Sequence, residues 1–238
     1  MALAILQARM SSTRLPGKVM KPLAGRPMIL RQIERIARAE RLDDLVVATS
    51  VEPSDDPLAQ ALRAEGVVVH RGPLDDVLSR FLGALDAHPA DHVVRLTADC
   101  PLADPAVIDA TIARHLESGA DYTSNTPATF AFPKGQDVEV VSAETLRRAA
   151  ADPSPEGREH VTWDIWNAPD RYALAWLESA RADDGDIRWT VDTADDHAFA
   201  AAVYDGLYAA NPAFTSADLR AFLQARPDLQ RLGGARRL

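Results

Sequence analysis

The sequence predicts an α/β protein with a mixed, mostly parallel sheet and helices on both faces. Over residues 1–120, short apolar runs alternate with amphipathic segments, and such alternation requires crossover connections between parallel strands. Beyond residue 121 the pattern changes to closely set segments around Pro133 and Gly135, which read as an added hairpin or a paired extended segment. No repeat, low-complexity tract or linker interrupts the chain, so one domain over residues 1–238 is expected.

Taken in order, strands are expected at residues 3–8 (LAILQA), 45–50 (LVVATS), 67–70 (VVVH) and 92–98 (HVVRLTA). Each is short, rich in Val, Ile or Leu, and bounded by polar or turn residues. Residues 27–39 read as a helix with Ile29, Ile33, Ile36 and Ala37 on one face and Arg31, Glu34, Arg35 and Arg38 elsewhere; Pro27 suits its first turn. Asp56 and Pro57 open a second helix ending by Gly66, and a third carries Val77, Leu78, Phe81, Leu82 and Leu85. Asp104 and Pro105 open a fourth, with Ile108, Ile112 and Leu116 as its stripe and Gly119 as its stop. Further on, DYTSN reads as a short strand, residues 156–168 as a helix, and RYALAWL and IRWTVD as strands. Thr193 caps a last helix, with Asp196 three residues on and Phe199, Ala202, Val203 and Leu207 inward. Ligands of parallel sheets bind beyond the carboxyl ends of the strands, so loops 8–22, 50–55, 71–76 and 98–104 should share one edge.

A formal charge of −9 argues against a broad nucleic-acid or anionic-membrane surface. The longest apolar runs fall short of a membrane span, and the opening MALAILQARM reads as a strand rather than a signal peptide. Cys100 is the only cysteine, so no internal disulfide forms; a reducing cytoplasm is expected and Cys100 reads as packing. The six histidines lack metal-ligand spacing, and no nucleophile elbow occurs. Trp163, Trp166, Trp176 and Trp189 read as core or dimer-interface residues.

Against this acidic background, QARMSSTRLPGK (residues 7–18) gathers Arg9, Arg14 and Lys18 with the hydroxyls of Ser11, Ser12 and Thr13 just after the first strand. A P-loop would need glycine where Ser12 stands and Ser or Thr where Val19 stands, and the closely spaced glycines of a dinucleotide fingerprint are missing. What remains is a loop whose cations, amides and hydroxyls can converge on a polyphosphate, with Pro16 and Gly17 turning the chain so that Arg14 and Lys18 keep a fixed separation. The alternative is a solvated basic loop paired with acidic helices. Two aspartates stand at strand ends on the same expected edge: Asp99 after VVRLTA and Asp192 after IRWTV. Mg2+ prefers one or two carboxylates with phosphate oxygens and water, so this pair can hold it. Taken singly, each aspartate reads as an ordinary loop or capping residue; only the pair points to a metal. Asp75, Asp76, Asp195 and Asp196 fall at helix starts, where negative charge suits the macrodipole, and read as structural.

The ordered set QARMSSTRLPGK, RPMILRQIERI, DLVVATS, DDVLSRF, RLTADCPLADP, DVEVVS, REHVT and WTVDTADD covers most of residues 3–200. It resembles the sugar cytidylyltransferases of the CMP-Kdo synthetase and acylneuraminate cytidylyltransferase superfamily, most closely the SpsF-like spore-coat polysaccharide branch. The resemblance implies a three-layer α/β/α, Rossmann-like nucleotidyltransferase fold with a hairpin insertion and a homodimer formed through residues 126–180 or thereabouts. It also implies a CTP site made by Arg9, Ser11, Ser12, Arg14 and Lys18, with the backbone near Ala8 and Met10 reading the base. Arg71 and Gly72 would lie at the nucleotide, and Asp99 and Asp192 would hold Mg2+. Arg14, Lys18 and Asp99 would then be catalytic. Two departures stand out. Ala98 occupies a position where the family commonly has Gly, and LTADCP replaces the QGDEP of CMP-Kdo synthetases, which weighs against Kdo itself.

An acidic acceptor needs a cationic or hydrogen-bonding pocket. KGQDVEVVS and GREHVTWDIW supply Gln136, Asp137, Glu139, Arg158, Glu159 and His160. Arg158 is suited to a bidentate grip on a carboxylate, and His160 to donating to it or deprotonating the attacking hydroxyl. Arg95 interrupts an apolar strand and needs a partner, either substrate or a buried carboxylate. The expected reaction is CMP transfer from CTP to a nonulosonate or Kdo-like acid with release of pyrophosphate, in surface polysaccharide or glycoconjugate synthesis. A phosphonate or sugar-phosphate acceptor, a glycosyltransferase-like enzyme using a nucleotide sugar, and a non-catalytic nucleotide-binding partner are the alternatives. No nucleic-acid or membrane partner is expected.

Overall fold

The computed structural model describes residues 1–126, 132–179 and 187–231. In chain order its first half runs β1 (Ala2–Gln7), a small hairpin of β2 (Pro22–Leu23) and β3 (Arg26–Pro27), α1 (Met28–Ile36), β4 (Asp44–Ser50), α2 (Asp56–Ala64), β5 (Val68–Gly72), α3 (Val77–Ala87), β6 (His92–Thr97) and α4 (Pro105–Ser118). The second half runs β7 (Tyr122–Ser124), β8 (Glu139–Ser142), α5 (Ala143–Ala149), α6 (Pro155–His160), α7 (Trp163–Trp166), β9 (Leu174–Trp176), α8 (Ala194–Leu207) and α9 (Ser216–Ala225). The large sheet has the order β5-β4-β1-β6-β8-β7-β9. Only β8 runs against its neighbours β6 and β7; the other pairings are parallel.

The pleat of β1 explains the layering. Ala2, Ala4 and Leu6 face an apolar layer with Ile29 of α1, Leu58 and Leu62 of α2, and Ile108 and Ile112 of α4. Leu3 and Ile5 face the opposite layer, with Phe81 and Leu85 of α3, Leu146 of α5 and Ile165 of α7. Each Leu, Ile or Phe side chain among these contributes about 1.5–3 kcal/mol on full burial. A third cluster, built on Trp189, Phe199, Tyr204 and Phe214, packs the carboxyl-terminal helices against Leu23 and Met28. No helix among the described residues is long and apolar enough to cross a membrane.

Four local expectations are corrected. On α1, Arg31 and Arg35 are buried rather than solvent-facing, because the helix has the sheet on one side and the third cluster on the other. Their stems cover apolar surface while the guanidinium groups donate to carbonyls: Arg31 to Leu23, Arg35 to Ala103 and Phe214. On α4, Leu116 is 50% exposed, and Thr111 and His115 take the inner positions. The helix expected over 156–168 breaks into α6 and α7 at Val161, whose φ of 56° interrupts the helical path while its side chain enters the second layer. Finally, the segment at Pro133 and Gly135 does not fold back on residues 139–142. β8 pairs instead with β7, and Lys134 forms a bridge with Arg188, in the stretch expected to be a strand. Residues 127–131, the first part of the expected hairpin, lie outside the described residues.

His115 gives the fold a pH dependence. It lies between His92 Nδ1, 3.1 Å from its Nε2, and Thr123 Oγ1, 3.0 Å from its Nδ1. Burial, reinforced by the neighbouring His92, lowers its pKa to about 4. A histidine kept neutral in the fold but free to protonate when unfolded stabilises the protein fully above its unfolded pKa of about 6.5, and that contribution is lost as pH falls toward 4. The expected loss is about 3 kcal/mol between pH 6.5 and 4. Urea unfolding across this range should show it, and His115→Gln should flatten the slope; an unchanged slope in the variant would exclude His115 as its source.

Candidate active site

The carboxyl ends of β1 and β6 open onto a cavity of about 510 Å³. The loop after β1 supplies Ala8, Arg9, Ser12, Thr13, Arg14 and Lys18 to its wall; the turn before α3 and that helix supply Leu74, Asp75, Val77 and Arg80. Thr97, Ala98 and Asp99 follow β6, Glu159 and His160 come from α6, and Asp192 from the segment before α8.

Local bonding shapes the first loop. The Met10 carbonyl accepts from the Ser12 and Gly17 amides, Gly17 takes a left-handed φ of 68°, and Lys18–Met20 form one 3-10 turn. This folds Lys18 back toward the sheet edge. There its Nζ donates to the Val191 carbonyl at 2.8 Å and to Asp192 Oδ1 at 3.0 Å, and lies 3.6 Å from Asp99 Oδ2. Arg14 reaches the same Asp192 oxygen at 2.9 Å. The two aspartates, far apart in sequence, are brought together by the Val191 amide donating to the Asp99 carbonyl at 2.8 Å. Behind this contact the Lys134–Gly135 segment presses so closely on residues 189–190 that a Cβ at Gly135 would sit 2.8 Å from the Thr190 nitrogen.

Asp99 and Asp192 are held differently. Asp99 Oδ1 accepts from Thr97 Oγ1 at 2.6 Å and Cys100 Sγ at 3.4 Å. Cys100 is buried, and burial pushes its thiol well above the ordinary range, as its packing role requires. Asp192 Oδ2 accepts from Arg188 at 2.8 Å. Burial opposes the Asp192 charge, but the hydrogen bond from Lys18, with Arg188 and Arg14, outweighs it and holds the carboxyl below its ordinary range. Both carboxylates open on one cavity and present only oxygen, the donor set that suits a hard divalent cation. Ala98, the departure from the usual Gly, is buried and packs into the first apolar layer.

A model of a family described as cytidylyltransferase matches residues 3–156. The chain belongs to that family. The cytidylyltransferase is 35% identical over 233 residues to the Bacillus subtilis spore coat polysaccharide biosynthesis protein SpsF, spanning 95% of each chain. A solved cytidylyltransferase from Leptospira borgpetersenii has a TM-score of 0.88 to it at 27% identity, over 96% of this chain and 95% of that one. CMP:2-keto-3-deoxy-manno-octonic acid synthetase, solved with CTP, has a TM-score of 0.64 at 18% identity, over 87% and 99% of the two chains, a likeness of fold. The protein is therefore a nucleotidyltransferase with the seven-stranded fold of that synthetase.

Several expected site residues lie elsewhere in the cytidylyltransferase. Ala8 does line the cavity, with its amide held by the Ala48 carbonyl, whereas Met10 is not part of the wall and its amide is held by Asp55. Ser11 is exposed and is not part of the cavity wall. Arg71 turns to the carbonyls of Ser50 and Glu52 and to Asp56. Gly72 lies under Arg80, whose Cγ would be 2.9 Å from a Cβ there. Of the acceptor candidates, Glu159 and His160 line the cavity. Arg95 pairs with Glu139, which also accepts from Thr162 Oγ1. Gln136 donates to Ser216 Oγ, Asp137 accepts from the Gly135 amide, and Arg158 pairs with Asp76.

Sequence reasoning passed over Arg80, Arg188 and Asp55. Arg80 lines the cavity with its Nε buried and unpartnered, while its Nη1 holds the carbonyls of Pro73 and Leu74. Arg188 and Asp196 brace Asp192: Asp196 accepts from the backbone amides of Asp192 and Thr193 and pairs with Arg188 at 2.8 Å. Asp55, fully buried, accepts from the Met10 amide at 2.7 Å, from the Ser50 amide and from the Ser50 hydroxyl. Asp55→Ala leaves those donors without an acceptor and should cost about 2–3 kcal/mol of stability, measurable by urea unfolding. A loss below 0.5 kcal/mol, the ordinary surface value, would mean the loop does not depend on this carboxylate.

Proposed function

We propose that this cytidylyltransferase transfers CMP from CTP to a hydroxyl of an acidic sugar and releases pyrophosphate. The observation that carries the reading is Lys18 set between Asp99 and Asp192, with Arg14 on the same cluster and Arg9 on the same cavity. The Arg9 side chain has no ion pair or hydrogen bond among the described residues, so it offers a free positive charge to an incoming phosphate. The acceptor oxygen would attack the α-phosphorus while the bond to the β-phosphate bridging oxygen breaks, and pyrophosphate departs with that electron pair. Arg14 and Lys18 stabilise the charge that collects on the leaving group, in a cavity that fixes donor and acceptor relative to one another.

Asp99 and Asp192 would hold Mg2+, which when bound neutralises phosphate charge. His160, which lines the cavity beside Trp163, would take the proton of the attacking hydroxyl. Support for an acidic acceptor comes from the synthetase, whose name is that of a CMP:octonic acid enzyme, while the SpsF relative supports a role in polysaccharide synthesis. The test is pyrophosphate release from CTP or UTP with a panel of acidic and neutral sugars. Release with CTP and an acidic sugar is expected. No release with any acidic sugar, or equal release with neutral ones, would overturn the assignment.

A further inference from the structure

We propose that Lys18 serves as the counter-cation of the Asp99–Asp192 pair, so that the pair accepts a divalent ion only when a polyphosphate draws Lys18 away. This rests on the assignment of those carboxylates to a metal. The Lys18 ammonium has three protons, and three oxygens surround it: Val191 O at 2.8 Å, Asp192 Oδ1 at 3.0 Å and Asp99 Oδ2 at 3.6 Å. Its side chain is 12% exposed and that of Asp192 10%. Both remaining carboxylate oxygens are also engaged, Asp99 Oδ1 by Thr97 and Asp192 Oδ2 by Arg188.

Charge reaches the same conclusion as geometry. Asp99, Asp192 and Asp196 are balanced by Lys18, Arg14 and Arg188, so the cluster as it stands offers a divalent ion no net negative charge. Mg2+ sheds its water reluctantly and takes few protein ligands, so it gains little by competing with a seated ammonium. A triphosphate, with about four negative charges, changes both sides of this balance. It attracts Lys18 and the largely exposed Arg14 away from the aspartates and brings oxygen ligands of its own. Nucleotide and metal would then each raise the other's affinity by the same factor.

The experiment is Mn2+ binding, followed by electron paramagnetic resonance, to the wild type alone, to Lys18→Met alone and to Arg9→Met alone. Arg9 lines the cavity but touches neither carboxylate, so its variant measures the general effect of removing a positive charge. Lys18→Met should bind Mn2+ at least about tenfold more tightly than the wild type, with Arg9→Met within about threefold of it. Lys18→Gln repeats the test in case the methionine variant does not fold. Equal affinity in wild type and the Lys18 variants, or an equal gain in Arg9→Met, would overturn the proposal. A companion titration gives the wild type Mn2+ with a non-hydrolysable CTP analogue; failure to form a ternary complex there would instead overturn the metal role of the two aspartates.

Discussion

Lys18→Met is expected to lower CMP transfer by about a thousandfold or more while leaving the protein folded. Removing one preorganised donor from a developing anion typically costs 10²–10³ in rate, and Lys18 also orders two other site groups. Its loss leaves no carboxylate stranded: Asp192 keeps Arg14 and Arg188, and Asp99 keeps Thr97. The thermal midpoint should therefore shift by only a few degrees. Lys18→Arg should rescue little, because a planar fork does not fit where a compact ammonium meets three oxygens. Steady-state kinetics beside a thermal melt decides the point. Turnover within about tenfold of wild type would remove Lys18 from the reaction.

The second large effect is expected at the aspartates, and the contrast between them is informative. Asp192→Asn breaks a hub: one oxygen serves Lys18 and Arg14, the other Arg188, and an amide replaces one acceptor by a donor facing a cation. Activity should fall by about a thousandfold or more, and stability should fall by about 1–3 kcal/mol, because the mostly buried Lys18 and Arg188 each lose one of the carboxylates they share, while keeping Asp99 and Asp196. Asp99→Asn should produce a comparable loss of activity with much less loss of stability, since Asp99 is more exposed and meets one cation at 3.6 Å. Kinetics and urea unfolding on both variants check this. Equal stability losses would mean that the two carboxylates are joint structural elements; full activity in either would remove it from the site.

The parallel half of the sheet was legible in the sequence because its signals are local. Branched apolar runs and capped helices such as Asp104–Pro105 to Gly119 each carry their own periodicity and punctuation. The convergence of Arg14, Lys18 and Asp99 followed from one rule, that loops at the carboxyl ends of parallel strands share an edge. Asp192 reaches them from residues 187–192, expected as a strand but, among the described residues, in β-pairing only at the Arg188 bridge. What stayed hidden depends on contacts between distant segments. The inner faces of α1 and α4 are double: Arg35 and His115 are polar by composition, yet each is buried against a partner supplied far along the chain. Val161 breaks a helix that the sequence pattern continues, for a reason found in the second layer rather than in its neighbours. Asp55, Arg80 and Arg188 likewise look like ordinary surface charges. Only the fold reveals that Asp55 holds the Met10 amide, that Arg80 reaches the cavity and that Arg188 steadies Asp192.

The central claim is that the amino-terminal cations and the two distant aspartates form a single site for a magnesium-bound triphosphate. A crystal structure with Mg2+ and a non-hydrolysable CTP analogue tests it most directly. The phosphates are predicted to contact Arg14 and Lys18, with the metal between Asp99 and Asp192. A triphosphate bound more than about 10 Å from these side chains, beyond the screening distance of one charge cluster, would contradict it.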